Sequence, residues 1–250
     1  MSDTKVAIIT GASSGIGRAT AIALSQAGWS IVLFARRMDQ LRETRDLCAD
    51  PSRSLCFEGD VTDEKSVQEL FRFTINNLGR LDLLFNNAGM STPAIPTEDL
   101  SLSLFLQVTN VNLVGTFLCT REAFKIFKTQ SPTGGRIINN GSIAAHAPRP
   151  HALAYTATKH AVTGFTKSIA LDGRAFNISC TQIDIGNATT PMAAAQGKGV
   201  LQPDGRIVPE ATFDPKHVAD AIVHIAGLPL EVTVLNFTIM ATTMPFVGRG

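Results

Sequence analysis

The sequence predicts a doubly wound α/β fold, a mainly parallel sheet of seven strands with helices on both faces. Three observations predict it. Seven short apolar runs recur along the 250 residues, helical patterns separate them, and a glycine-rich turn joins the first run to the first helix. Runs bounded by Gly, Asp or Asn, rich in Val, Ile, Leu and Phe and lacking strict alternation, are what parallel strands covered on both faces require. Strand–helix–strand repetition then implies right-handed crossovers.

The elements follow in order. Strands are expected at KVAIIT (5–10), SIVLFA (30–35), SLCFE (54–58), LDLLF (81–85), GRIINN (135–140), NISCTQI (177–183) and VTVLNF (232–237). The first helix begins near Ser14. In 63–78, Val67, Leu70, Phe71, Ile75 and Leu78 recur at spacings of three and four and form one apolar stripe. Longer helices are expected at 100–128 and 152–172. In 214–226, Asp214 is the expected N-cap, Pro215 opens the helix, and Val218, Ile222 and Ile225 face inward. With no linker and no repeat, residues 1–250 read as one dinucleotide-binding and catalytic domain. Two stretches escape the pattern, 91–99 and a loop at about 191–212. The second is either a lid over substrate or a surface excursion.

Composition excludes several classes. Apolar residues make up 44% and charged residues 17%, a core-forming balance, and the net charge of +1 directs the chain to neither nucleic acid nor a membrane surface. No unbroken apolar run approaches the ~18 residues needed to span a bilayer. The N-terminus lacks a signal-peptide layout, and Cys48, Cys56, Cys119 and Cys180 form no CxxC pair. These points predict a cytoplasmic protein with reduced thiols and no metal.

TGASSGIG, residues 10–17, places Gly11, Gly15 and Gly17 between a strand and a helix. Glycines there permit a tight turn and close approach of a diphosphate to main-chain N–H groups, with the positive end of the helix dipole behind them. The single tyrosine of the chain, Tyr155, lies four residues before Lys159, so a helix sets both on one face. An ammonium ~4 Å from a phenol is worth ~4 kcal/mol at an effective dielectric of ~20 and favours the phenolate. Such a phenol can give a proton to a carbonyl oxygen or take one from an alcohol.

These motifs resemble the short-chain dehydrogenase/reductase family. TGASSGIG looks like its coenzyme loop, NNAG (86–89) follows the fourth strand as it does there, and Ser142, Tyr155 and Lys159 reproduce its S…YxxxK spacing. The resemblance implies a Rossmann-type fold and a hydride transfer between a nicotinamide coenzyme and a small-molecule carbonyl or secondary alcohol. It implies Tyr155 as general acid/base and Ser142 as the residue that positions the substrate oxygen. Lys159 would also bind the nicotinamide ribose, and Asn112 would hold a relay water. It assigns the coenzyme contacts to Gly11, Ser14, Gly15, Ile16, Gly17, Arg36, Arg37, Asp60, Val61, Asn87, Ala88, Gly89, Ala188 and Thr190, beside Tyr155 and Lys159. The chain departs from the family at Ile185-Gly186, where Pro-Gly is usual, and at Gly141, often a serine, where the glycine is expected to leave room beside substrate.

The second strand ends at Ala35, where an NAD-selective site places an acid, and Arg36 and Arg37 follow. This predicts NADP(H), with Arg36 matched to the 2′-phosphate and Ser14 as a second donor. The 191–212 loop carries few charges (Lys198, Asp204, Arg206, Glu210), which favours an uncharged substrate. Apolar and small residues on more than one face of 100–128 and 152–172 predict a homodimer or homotetramer. Two other functions share these features. One is a non-catalytic coenzyme-binding redox sensor, against which Tyr155 and Lys159 both argue. The other is an epimerase or dehydratase, usually longer and built on a GxxGxxG loop. His146 and His151, between Ser142 and Tyr155, either touch substrate or are exposed loop residues.

Overall fold

The computed structural model describes residues 4–193 and 199–247. Residues 194–198, part of the expected 191–212 loop, therefore lie outside the described residues. The main sheet has seven parallel strands in the order β3-β2-β1-β4-β5-β6-β9. They are β1 (Val6–Thr10), β2 (Ser30–Ala35), β3 (Ser54–Glu58), β4 (Leu83–Asn86), β5 (Gly135–Asn140), β6 (Ile178–Ile185) and β9 (Asn236–Ile239). A two-stranded hairpin, β7 (Val200–Leu201) with β8 (Ile207–Val208), stands apart within the late loop.

Successive residues of a strand point to opposite faces, and this builds two cores. Ala7, Ile9, Ile31, Leu33 and Phe85 face one side. There α1 (Gly15–Gln26), α2 (Met38–Asp46) and α7 (Lys216–Gly227) cover them, with Val218, Ile222 and Ile225 buried as expected. Val6, Ile8, Val32, Phe34 and Leu84 face the other. They meet α3 (Glu64–Leu78), α5 (Gly115–Thr129) and α6 (Leu153–Asp172) through Val67, Leu70, Leu118 and Phe127. Asp214 accepts from the Lys216 N–H at 2.8 Å ahead of α7, whose N-cap is Pro215 rather than the expected Asp214, and Asp63 caps α3 through the Lys65 N–H.

Four strands differ from their expected bounds: β1 starts one residue late, β4 forms at Leu83–Asn86 rather than 81–85, and β6 and β9 shift for identifiable reasons. Asn177 takes a left-handed conformation (φ 56°) in the turn after α6, so β6 starts one residue late and runs on to Ile185. The last strand was expected at 232–237 and forms at Asn236–Ile239. Residues 228–232 wrap a buried guanidinium instead. Arg136 donates to the carbonyls of Leu228, Pro229 and Val232 at 3.1–3.2 Å.

The helix expected over 100–128 is α4 (Leu102–Thr109), one π-helical turn (Asn110–Val114) and α5 in continuous succession. This continuous helix is longer and more apolar than the count of unbroken apolar runs suggested. Leu102–Thr129 is 28 residues long and contains an 18-residue window of mean hydropathy 1.5, enough to cross a bilayer by length and composition alone, as the core helix of a globular protein also can be. Counting unbroken apolar runs missed it, because its interruptions are mostly uncharged Thr, Asn and Gln. Its inner side packs on the sheet. Leu102, Leu106 and Phe117 on its outer side are exposed.

Candidate active site

The loops and helix starts after β1, β2, β4, β5 and β6 meet at the carboxyl edge of the sheet, where ligands bind in folds of this kind. β1 runs into the glycine loop. Gly11 and Gly15 take positive φ (65° and 54°), which other residues adopt only at a cost. Gly17 is needed for a different reason, since a Cβ there would come 2.3 Å from the Gly11 carbonyl oxygen. Ser14 is the N-cap of α1 but makes no capping bond, and no acid occupies the first turn. The helix start is thus electropositive and shaped for main-chain approach, and these residues fit a diphosphate.

A cleft of about 360 Å³ opens along this edge. Gly11, Ser14, Gly15 and Ile16 form one wall, Ala35, Arg36 and Arg37 a second, and Asp60, Val61, Ala88 and Gly89 a third. Thr190 closes the cleft, within 3.2 Å of where a Gly15 Cβ would lie. Asp60 accepts from the main-chain N–H and the hydroxyl of Thr62, both at 2.9 Å, so its turn is self-braced. Arg37 donates to Ser13 Oγ at 3.1 Å and ties the second wall to the first. Ala188 is buried beside Phe213 rather than in the cleft lining, so its place among the coenzyme contacts rests on the resemblance alone.

Asn87 joins the cradle to the reacting end. Its amide donates to the Thr10 carbonyl at 2.9 Å and the Gly11 carbonyl at 3.3 Å, and its oxygen accepts from the Asn140 amide at 2.9 Å. The Asn140 carbonyl in turn accepts from Lys159 Nζ at 2.7 Å. That ammonium lies 5.5 Å from the centroid of the Tyr155 ring. The one-turn spacing on α6 therefore does bring the pair together. Ser142, buried at the end of β5, accepts from the Ala144 N–H at 3.1 Å, which orients its hydroxyl and leaves the hydroxyl proton to be donated.

Asn112 sits in the π-helical turn, which rotates it inward. Its amide donates to the Met90 carbonyl at 3.0 Å and to Thr158 Oγ1 at 3.1 Å, and its oxygen accepts from the Met90 N–H at 2.8 Å. The carboxamide braces the loop after β4 against α6, a heavier structural duty than the relay water expected of it.

Two groups escaped sequence reasoning. Asp184, buried on β6, accepts from the Ser142 N–H and faces His146 Nε2. The signal for it was a charged residue inside the otherwise apolar end of a buried strand. The carboxylate also fills the space that Gly141 was expected to leave for substrate, since a Cβ at 141 would lie 2.2 Å from Asp184 Oδ1. Of the two loop histidines, His146 is thus anchored and His151 is exposed. The second group is the Arg149–Glu210 ion pair, which clamps the late loop against the segment before α6 with help from Asn187 and Gln202. Burial alone would raise the Glu210 carboxyl, but the bonds from Arg149, Asn187 and Gln202 outweigh it and hold it below the usual range. Asp204 and Arg206 pair with each other at the surface. Among the described residues, no cluster of His, Cys, Asp or Glu is arranged for a metal. Burial pushes the free thiols of Cys119 and Cys180 up to about 12.

The profile of the short chain dehydrogenase family matches residues 5–200. A 3beta-hydroxysteroid dehydrogenase of Mediterraneibacter gnavus is 34% identical over 215 residues, covering 80% of this chain and 77% of that protein. A variant of actinorhodin polyketide ketoreductase, solved with NADPH, superposes with a TM-score of 0.84 at 29% identity over 95% of this chain and 96% of that one. A 3-ketoacyl-(acyl-carrier-protein) reductase of Brucella melitensis, solved with NADH, has the same fold with a TM-score of 0.82 at 24% identity over 94% and 96%. Sheet order, cradle and family match agree that this chain belongs to the short-chain dehydrogenase family and is an oxidoreductase of the kind that moves hydride between a nicotinamide coenzyme and a small molecule.

Proposed function

We propose that the protein is an NADP(H)-dependent reductase or dehydrogenase acting on an uncharged carbonyl or secondary alcohol, with Tyr155 as general acid/base. The observation that carries this reading is the unbroken chain of contacts from Gly11 through Asn87, Asn140 and Lys159 to Tyr155. A bound nicotinamide supplies or accepts the hydride. In the reducing direction the Tyr155 hydroxyl gives its proton to the substrate oxygen, and the Lys159 ammonium stabilises the phenolate that remains. The Ser142 hydroxyl donates to the same oxygen and sets its position. Asn112 holds the loop after β4 and the turn of α6 that carries Tyr155. The preference for an uncharged substrate is supported by the late loop, where Glu210, Asp204 and Arg206 are each committed to a protein partner.

The coenzyme preference rests on Ala35, Arg36 and Arg37. No carboxylate stands at the end of β2 to repel a 2′-phosphate, and two guanidinium groups line the cleft there. Charge-assisted contacts of this kind are worth ~1.5–3 kcal/mol, or about ten- to a hundredfold in preference. We expect kcat/KM for NADPH to exceed that for NADH by this factor. The measurement is absorbance loss with ethyl acetoacetate, cyclohexanone and 9,10-phenanthrenequinone as probes. Ala35→Asp with Arg36→Ser should invert the order. Equal values, or a preference for NADH, would show that the arginines do not read the phosphate.

The protein is also proposed to be cytoplasmic and to assemble as a homodimer or homotetramer. Its free, largely buried thiols support the first point. Support for the second comes from an open groove between α5 and α6, where Phe117, Phe124 and Phe165 lie among Arg121, Lys125 and Asp172. Apolar surface of this kind on two neighbouring helices suits an isologous contact. Light scattering at micromolar concentration should give at least twice the 26.7 kDa chain mass. A monomer at that concentration rules the assembly out.

A further inference from the structure

Asp184 has a side chain with no exposure at all. A buried carboxylate is costly unless hydrogen bonds satisfy it, and four groups converge on this one. Oδ1 accepts from the Ser142 N–H at 2.9 Å and from the Gln182 amide at 2.7 Å. Oδ2 accepts from the Asn236 amide at 2.9 Å and faces His146 Nε2 at 2.7 Å. One carboxylate therefore joins β6, β9, the end of β5 and the short helical turn after it. The turn begins at Ser142 and ends at His146, so Asp184 grips it at both ends. The neighbouring glycine matches the arrangement, because any side chain at Gly141 would strike Asp184 Oδ1 and the Gln182 side chain.

We propose that Asp184 is a positioning residue for hydride transfer: its two carboxylate oxygens hold the Ser142 main chain and the His146 ring in register, and so fix where the Ser142 hydroxyl meets the substrate oxygen. This rests on the reading of Ser142 as the residue that contacts that oxygen. Asp184 itself lies behind the main chain, and its effect passes through Ser142. The Ala144 N–H sets the direction of the hydroxyl, while Asp184 sets the backbone from which it projects. The arrangement makes Gly141 and Asp184 a matched pair.

The test compares Asp184→Ala, Asp184→Asn, Ser142→Ala and the Asp184→Ala/Ser142→Ala double variant, using NADPH and the same three ketone probes. The asparagine keeps an oxygen toward the Ser142 N–H, while its amide faces a ring nitrogen that can accept. Asp184→Ala should lower kcat about tenfold with the coenzyme KM within about twofold, Asp184→Asn should restore most of the loss, and the double variant should be no worse than Ser142→Ala by more than about twofold, since both act through one hydroxyl. A second readout needs no turnover. The Ser142 amide proton in ¹⁵N-edited spectra should move upfield and lose exchange protection in Asp184→Ala and keep both in Asp184→Asn. If Asp184→Ala does not fold, Gly141→Ala, which pushes the carboxylate off Ser142 without removing it, should give the same amide change and the same loss of kcat. An unperturbed Ser142 amide in the alanine variant, or kcat within about twofold of wild type while Ser142→Ala loses at least about tenfold, overturns the positioning role. Full activity in Ser142→Ala would instead overturn the reading of Ser142.

Discussion

Replacing Tyr155 by Phe should abolish nearly all turnover while folding and coenzyme binding stay close to wild type. The substitution removes one oxygen and its proton. The ring remains over the Lys159 ammonium, and the bond from Lys159 to the Asn140 carbonyl does not involve the phenol. What is lost is the only tyrosine hydroxyl of the chain, and with it the proton donor to the substrate oxygen. General acid/base catalysis contributes roughly 10²- to 10⁴-fold, and a loss of that order in kcat is the expected result. Thermal unfolding and fluorescence titration with NADPH provide the controls. Retention of activity within a few-fold would remove Tyr155 from the mechanism while leaving the family assignment in place.

The largest effect on stability is expected from Arg136, a fully buried arginine at the start of β5. Burial lowers its guanidinium below the ordinary arginine value, the direction expected when water is withdrawn from a cation. The charge is nevertheless retained by four oxygens, those of Ser179 Oγ at 2.7 Å and the Leu228, Pro229 and Val232 carbonyls. Arg136→Met keeps the length of the side chain and discards every one of these donations. The Leu228 and Val232 carbonyls lose a partner at ~1–3 kcal/mol each, while the Pro229 carbonyl keeps the Val232 N–H and Ser179 keeps Thr233; with the cation's desolvation no longer incurred, the net loss is about 2–4 kcal/mol. For a chain of this size that is a fall in Tm of about 4–16 °C. The residues it releases lead directly into β9, so the edge strand should show the largest gain in hydrogen exchange. A Tm within about 3 °C of wild type would mean that the three carbonyls find other partners. The site lies at the opposite end of the strands, so turnover per folded molecule should survive.

Features that depend on local periodicity or local backbone geometry were legible in the sequence. The alternation of apolar runs and helical stripes encodes which side of each element is covered. It therefore determined the seven strands, the two-faced core and the doubly wound sheet. The glycine loop is legible because Gly11 and Gly15 meet their backbone demands within one turn of chain. Tyr155 and Lys159 are legible because one turn of a helix brings them together. Tertiary structure decided whatever depends on partners distant in the chain. Gly17 is glycine because of Asn87 as well as the nearby Gly11 carbonyl, and Gly141 because of Asp184 and Gln182, contacts that no local pattern announces. The last strand starts at Asn236 rather than Val232 because the preceding carbonyls are drawn to Arg136, almost a hundred residues earlier. Asp184 reads as a misplaced charge in a buried strand until Ser142, Gln182, His146 and Asn236 are brought around it. A burial pattern specifies that a side chain is inside; only the assembled fold specifies which donors and acceptors it meets there, and in this protein those partners orient Ser142 and brace Tyr155.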